Sequence, residues 1–191
     1  MPFINRRALL VSSAGPALAA LACLAVPSAH AGYNVFTGEY TVGQAELQAR
    51  VDTRFPLSFS YAQLFDVRVA NPRLRLGAGS DRAAVTVDLV VRSAFMAQPM
   101  AGTLVISSKL RFDAPTRSIR LVEPAADRLD FQGLAPADGQ QLQAIGQVVA
   151  QEALKDWPIH TFTPEELTRG SRVFTPGEIT VVEGAVKIRL D

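Results

Sequence analysis

The chain has 191 residues with nearly balanced charge, 19 basic against 18 acidic, for a formal net charge of +1. That length suits one domain and buries a working core without disulfide staples. A nucleic-acid partner would need a concentrated basic surface, and nothing in the sequence supplies one.

The first 31 residues read as a leader. Arg6 and Arg7 form a positive n-region, Ala8 to Val26 is mostly apolar, and Ala29-His30-Ala31 offers small residues to signal peptidase. Cleavage is expected between Ala31 and Gly32, leaving 32–191 as a single domain in the periplasm. A retained spanning helix is the rival reading, but Gly15-Pro16 breaks the run and Ser12-Ser13 makes it less apolar. Asn5 to Leu10 fits a twin-arginine export signal as well as it fits an ordinary n-region. Leu21-Ala22-Cys23 has the outline of a lipoprotein box, yet Ala20 stands where leucine is preferred and the apolar run continues past Cys23. Lipidation at Cys23 is therefore the weaker alternative. Cleavage removes two of the 19 basic residues and no acid, which turns the net charge from +1 to −1. It also removes the only cysteine, so no disulfide forms in the product.

Tyr33 to Tyr40 has the aromatic spacing of a leading strand. Thr41 then reads as a helix cap, with Gln44 completing a capping box and a weak helical pattern running to about Arg54. Pro56 ends it. Leu57 to Phe65 alternates aromatics with serines. Phe65 to Leu76 alternates Val67, Val69, Leu74 and Leu76 with Arg68, Arg73 and Arg75, and Asn71-Pro72 predicts a bulge or an edge. Residues 77–81 form a turn.

Ala83 to Ser93 is the clearest strand, with Val85, Val87, Leu89 and Val91 on one face. After a looser connection over Ala94 to Ala101, Gly102 to Asp113 and Ser118 to Phe131 alternate again. The three long strands predict an antiparallel meander apolar on one face.

Pro136 to Trp157 reads as the longest helix. Leu142, Ile145, Val149 and Ala153 make an apolar stripe, and Gln140, Gln143, Gln147, Gln151 and Lys155 occupy the other side. Pro136 and Asp138 suit its first turn, and Pro158 stops it. Ile159 to Phe162 is extended, and Thr163 to Leu167 has the cap, proline and acids of a short helix start. Ile179 to Val182 and Ala185 to Leu190 close the chain as a hairpin or bent strand. The expected fold class is α+β: a curved antiparallel sheet wrapped around one long C-terminal helix, with a shorter N-terminal helix.

Catalytic chemistry is poorly supplied. A hydrolase needs a base beside a nucleophile, and residues 32–191 hold one histidine, His160, in an alternating apolar stretch. There is no G-x-S-x-G elbow, and Gly77-x-Gly79 lacks the rest of a phosphate loop. Asp127/Asp130 and Glu165/Glu166 are the close acid pairs, and each has a local explanation at a strand end or helix start. An enzyme is not expected, nor is a metal or cofactor. What remains is apolar surface. Phe55, Leu57, Phe59, Phe65, Phe95, Met96 and Met100 lie outside the most regular strands, where they finish the core or line an adaptable pocket entrance. The candidate lining of an apolar ligand groove is Phe59, Val85, Val87, Leu89, Leu104, Ile106, Leu110, Leu142, Ile145 and Val149.

The order of elements resembles the YceB-like lipid-binding lipoproteins of the bacterial envelope. The resemblance rests on the early helix near Thr41–Arg54, the strands with Val85–Val91 and Gly102–Phe112, the long helix, and the ending Ala153-Leu-Lys-Asp-Trp-Pro-Ile-His-Thr-Phe162 followed by Gly177-Glu-Ile-Thr-Val181. It implies half of a tubular lipid-binding (TULIP) fold, in which a curved sheet wraps a long helix around an apolar groove. The poor lipoprotein box departs from the family pattern. The partners so implied are a lipid or fatty-acyl ligand and peripheral membrane association. The alternative is an envelope scaffold or interaction module with a closed core and no ligand.

Overall fold

The computed structural model describes residues 32–34, 36–95, 97–132 and 139–191, and of residues 139–143 and 169 the backbone alone. The expected leader, Met96, Pro136 and Asp138 lie outside the described residues, and so does the side chain of Leu142.

In chain order the elements are β1 (Gly32–Asn34), β2 (Glu39–Gly43), α1 (Gln44–Arg54), β3 (Leu57–Tyr61), β4 (Phe65–Arg75), β5 (Arg82–Ser93), β6 (Met100–Asp113), β7 (Ser118–Phe131), α2 (Gly139–Leu154), β8 (Pro158–Thr161), β9 (Thr168–Arg169), β10 (Arg172–Val173), β11 (Pro176–Val182) and β12 (Ala185–Leu190). Strands β3 to β8 form one antiparallel sheet in chain order. A second sheet has the order β1-β2-β12-β11, and β9 and β10 make a small ladder.

The larger sheet curls into a half-barrel. Its ladder shifts register between Ala70 and Arg73, between Val105 and Ile106, between Ser107 and Lys109, and between Ile119 and Arg120. Each extra residue bends and twists its strand. Arg82 braces two of these places: its guanidinium donates to Ser107 Oγ at 2.8 Å, to Ser107 O at 2.8 Å and to Glu123 O at 2.6 Å. Inward positions follow the alternation of the sequence. Val67, Val69, Val85, Val87, Leu89, Val91, Leu104 and Ile106 are all buried.

The α+β expectation, a sheet wrapped around one long C-terminal helix, is overturned. The chain is mostly β with two short helices. Helix α2 ends at Leu154 rather than Trp157, and five strands follow it. The sheet takes the residues that the periodicity assigned to the helix tail. Asp156 N donates to Leu121 O at 2.8 Å, and Leu121 N donates to Trp157 O at 3.0 Å. Asp156 adopts φ 56°, the left-handed conformation that closes a helix and that aspartate tolerates.

Two smaller expectations also change. Thr41 is not a cap: it lies inside β2, opposite Lys187 of β12, and the helix begins after Gly43. The first turn is capped instead by tertiary structure, with Gln44 N donating to Gly184 O at 2.9 Å in the β11–β12 turn. Thr163 to Leu167 is a turn, not a helix, although it keeps capping-box hydrogen bonds: Thr163 N to Glu166 Oε2 at 2.7 Å and Glu166 N to Thr163 Oγ1 at 3.3 Å.

The irregularity expected at Asn71-Pro72 is present, with Asn71 at φ 51° in the register shift of β4. Strand β3 pairs β4 only as far as Val69, so Pro72 lies on an open edge and needs no ladder donor. Helix α1 covers that edge. Gln48 Oε1 accepts from Leu74 N at 2.6 Å, Gln48 Nε2 donates to Pro72 O at 2.8 Å, and Gln44 Oε1 accepts from Leu76 N at 3.2 Å.

Candidate functional site

Register brings most of the sequence-derived apolar lining onto one surface. Val85 lies opposite Ile106 and Val87 opposite Leu104, while Leu89 faces Val69 of β4. On the far side Leu104 lies opposite Leu129, Ile106 opposite Ala126, and Leu110 opposite Leu121. Helix α2 sits directly over this part. A Cβ added to Gly146 would stand 3.4 Å from Leu104 Cδ1, Leu129 Cδ2 and Ala126 Cβ, so its backbone nearly touches the sheet. Ile145 and Val149 flank that contact and are buried.

Gln147 and Gln151 of α2 do more than face solvent. Gln147 accepts from Ala126 N at 3.1 Å and donates to Pro124 O at 3.0 Å, and Gln151 donates to the same carbonyl at 3.1 Å. They satisfy β7 backbone groups near a register shift, as Gln44 and Gln48 do for β4.

Cover is uneven across the inner face. Val85, Val87, Leu89, Leu104, Ile106, Ile145 and Val149 are fully packed, whereas Phe59 and Leu110 are half-buried. Phe59 belongs to an edge that continues the apolar surface. Leu57, Phe59 and Tyr61 of β3 lie opposite Val69, Val67 and Phe65 of β4, and Leu57, Phe59, Tyr61 and Phe65 all remain half-buried. Helix α2 lies over β6 and β7, and α1 over the far half of β4. Among the described residues neither helix packs on the aromatic edge as it does on those strands.

The outer face differs in chemistry. Ser58, Ser60, Asp66, Arg68, Val90 and Arg92 line an open depression of about 650 Å³ across β3, β4 and β5. Asp66 accepts the Ser60 hydroxyl at 2.7 Å. Apart from Val90 these residues are the polar half of an alternation, and their convergence comes from pairing three strands.

His160, the lone candidate base, is 2% exposed on β8. Its ring lies 4.7 Å from that of Phe162 and 5.6 Å from that of Tyr40, and neither nitrogen has a hydrogen-bond partner. Burial, and then the charge of Arg50, hold its pKa below the ordinary imidazole value, against Glu166 and Glu46. Tyr40 donates its hydroxyl to Glu166, and burial together with that carboxylate pushes the phenol well above its usual range. The acid pairs are separately engaged. Asp127 accepts from Ser107 Oγ at 2.9 Å, Asp130 pairs with Arg128 at 2.7 Å, and Glu166 serves Tyr40 and Thr163. Among the described residues no three histidine, aspartate or glutamate side chains gather as metal ligands, and no helix is long and apolar enough to cross a membrane.

The described chain is thus a curled antiparallel sheet with an apolar inner face, closed in part by two short helices. No family model matches it, and no curated protein matches it. Among solved structures it is similar to a chain titled "Crystal structure of lipopolysaccharide binding protein", with 13% identity and a TM-score of 0.25, over 81% of this chain and 50% of that one. The chain therefore spans about half the length of that protein.

Proposed function

We propose that this protein is a non-catalytic envelope protein of the periplasm, exported through its leader, that holds an apolar ligand of the fatty-acyl class. The ligand lies along the inner face of the curled sheet. The observation that carries the reading is the aromatic edge: Leu57, Phe59, Tyr61 and Phe65 continue the core surface but stay half-buried beside it. An acyl chain laid there completes their burial and gains about 0.8 kcal/mol per methylene removed from water. Ile106, Val87 and Leu104 supply the floor, and Ile145 and Val149 the facing wall. The resemblance to YceB-like envelope proteins points the same way. Binding is the role assigned because the one histidine is buried against Tyr40 and Phe162, and Asp127, Asp130 and Glu166 bond within the fold.

The second reading, an envelope scaffold with a closed core, draws on the full burial of Val85 to Val91 and of Leu104 and Ile106. Mass spectrometry of solvent extracts separates the two. The protein is purified without detergent and extracted before and after incubation with envelope lipids. A stoichiometric lipid that is lost in Phe59→Ser, with the melting temperature little changed, supports the groove. Empty extracts under both conditions sink it and favour the scaffold.

A further inference from the structure

Two neighbouring hairpin tips of the curled sheet expose large apolar side chains at the same end. Phe65 opens β4 and lies opposite Ser93, the last residue of β5. The β3–β4 turn and the β5–β6 turn are therefore adjacent. Leu64 in the first is 50% exposed and Phe95 in the second is 81% exposed. The alternating pattern of a sheet does not require either, since both stand beyond the strand ends. A soluble surface gains nothing by presenting a phenylalanine at a hairpin tip, whereas an interface with lipid does.

Cations stand directly behind these tips. Arg68 lies opposite Val90, and Arg92 follows two residues along β5 on the same outer face. Both border the depression of about 650 Å³, whose other walls include the hydroxyls of Ser58 and Ser60. A smaller depression of about 150 Å³ carries Arg92 and Ser93 on to Gln98 and Pro99 in the β5–β6 turn. On the same face Arg73 pairs with Asp88 at 2.9 Å, and Arg120 with Asp113 at 3.0 Å. Among the described residues the side chains of Arg68 and Arg92 have neither an ion pair nor a hydrogen bond. The adjacent acid, Asp66, is engaged by Ser60.

We infer that this end of the sheet docks on an anionic lipid bilayer, with Leu64 and Phe95 entering the headgroup boundary and Arg68 and Arg92 meeting lipid phosphates. Apolar tips backed by unpaired guanidinium groups match the order in which a bilayer presents its layers from the inside outward. Arginine suits the task because its planar fork pairs with phosphate through two hydrogen bonds. The aromatic edge, Tyr61 and Phe65 included, begins at the same turn, so a docked protein has the mouth of its proposed groove at the membrane. The docking surface extends that reading and is tested separately from it.

Vesicle flotation tests the inference. The protein is purified from the producing cells and its intact mass recorded, so that every variant carries the same amino terminus. It is floated with vesicles of phosphatidylethanolamine and phosphatidylglycerol, and with vesicles of phosphatidylcholine alone. The wild type is expected to float with the anionic vesicles and to be released by high salt. Arg68→Gln with Arg92→Gln should weaken binding about 25-fold, at roughly five-fold per cation removed. Leu64→Ser with Phe95→Ser should abolish flotation with unchanged circular dichroism, because both side chains are exposed. Phe36→Ser, at the 95% exposed residue of the β1–β2 turn, should change nothing. A wild type that stays at the bottom overturns the docking surface, as does equal flotation of either double variant or an equal loss in Phe36→Ser. Lipid extraction reports independently on the groove: flotation with an empty extract upholds docking and removes the carrier, and lipid without flotation does the reverse.

Discussion

His160 Nδ1 stands 3.6 Å from Glu46 Oε1, across the seam where β8 meets α1. The groups facing the imidazole are Glu46 and Arg50 from α1, Tyr40 from β2 and Glu166 from the turn after β8. Burial and Arg50 keep the ring neutral in the fold. The unfolded chain protonates near 6.5, and the folded protein lower. Stability is therefore complete above about pH 6.5 and falls as pH drops from there through the folded value, by at most about 1.4 kcal/mol per pH unit for one proton. Urea unfolding followed by Trp157 fluorescence should show that limb, and His160→Phe should flatten it. A limb unchanged in His160→Phe rules His160 out as its source.

Glu166 gives a second limb at lower pH. Burial raises its pKa, but the hydrogen bonds from Tyr40 and from the Thr163 backbone outweigh that and hold it below 4.5. Its contribution is present above about pH 4.5 and is lost as pH falls through the folded value. Tyr40→Phe keeps the ring against Phe162, at 5.1 Å between centroids, and removes the donor. It should cost about 1.5 kcal/mol at neutral pH and shrink the acid limb. A neutral cost with the acid limb intact would disconnect the two residues.

Gly146 separates helix propensity from packing. Alanine meets Leu104, Ala126 and Leu129 at 3.4 Å, ordinary contact, and favours the helix by about 1 kcal/mol over glycine. Gly146→Ala should be neutral to stabilising. Gly146→Leu has no room and should cost about 1–3 kcal/mol. A harmless leucine would show that α2 does not sit on β6 and β7.

Gly102 is tighter still. A Cβ there would lie 2.5 Å from Asp130 O and 2.7 Å from Phe131 Cδ1. The clash is with backbone, which cannot swing away as a long side chain can. Gly102→Ala should therefore destabilise by about 2 kcal/mol or more, against the gain at Gly146→Ala, in the same chemical denaturation assay.

Val87→Asp places a charge opposite Leu104 in a fully buried pair. Both partners are sealed from water, and the cost should exceed about 4 kcal/mol, enough to unfold the protein. Expression as a folded, cooperative protein would mean that the inner face is roomy and wet.

The strand faces were legible because side-chain alternation is a local property. Val85 to Val91 and Leu104 to Ile106 repeat at period two, and no other arrangement buries them together. The bulge at Asn71-Pro72 was legible for the same kind of reason, since proline cannot donate to a ladder. Helix ends were not. Lys155 to Trp157 continue a helical pattern, yet Leu121 offers backbone partners from a strand more than thirty residues earlier in the chain, and those hydrogen bonds win. Nor does any local pattern say that Gln44, Gln48, Gln147 and Gln151 spend their amides on strand backbones rather than on water.

The sequence by itself determined which residues face the core, where most strands turn, and that nucleophile-and-base chemistry is scarce in residues 32–191. The tertiary structure alone decided that β1, β2, β11 and β12 form a second sheet, because pairing strands from opposite ends of the chain leaves no trace in spacing. It decided too that Arg68 and Arg92 stand together behind Leu64 and Phe95. Twenty-four positions separate the two arginines, and only the hydrogen-bonded register of β4 with β5 makes them neighbours.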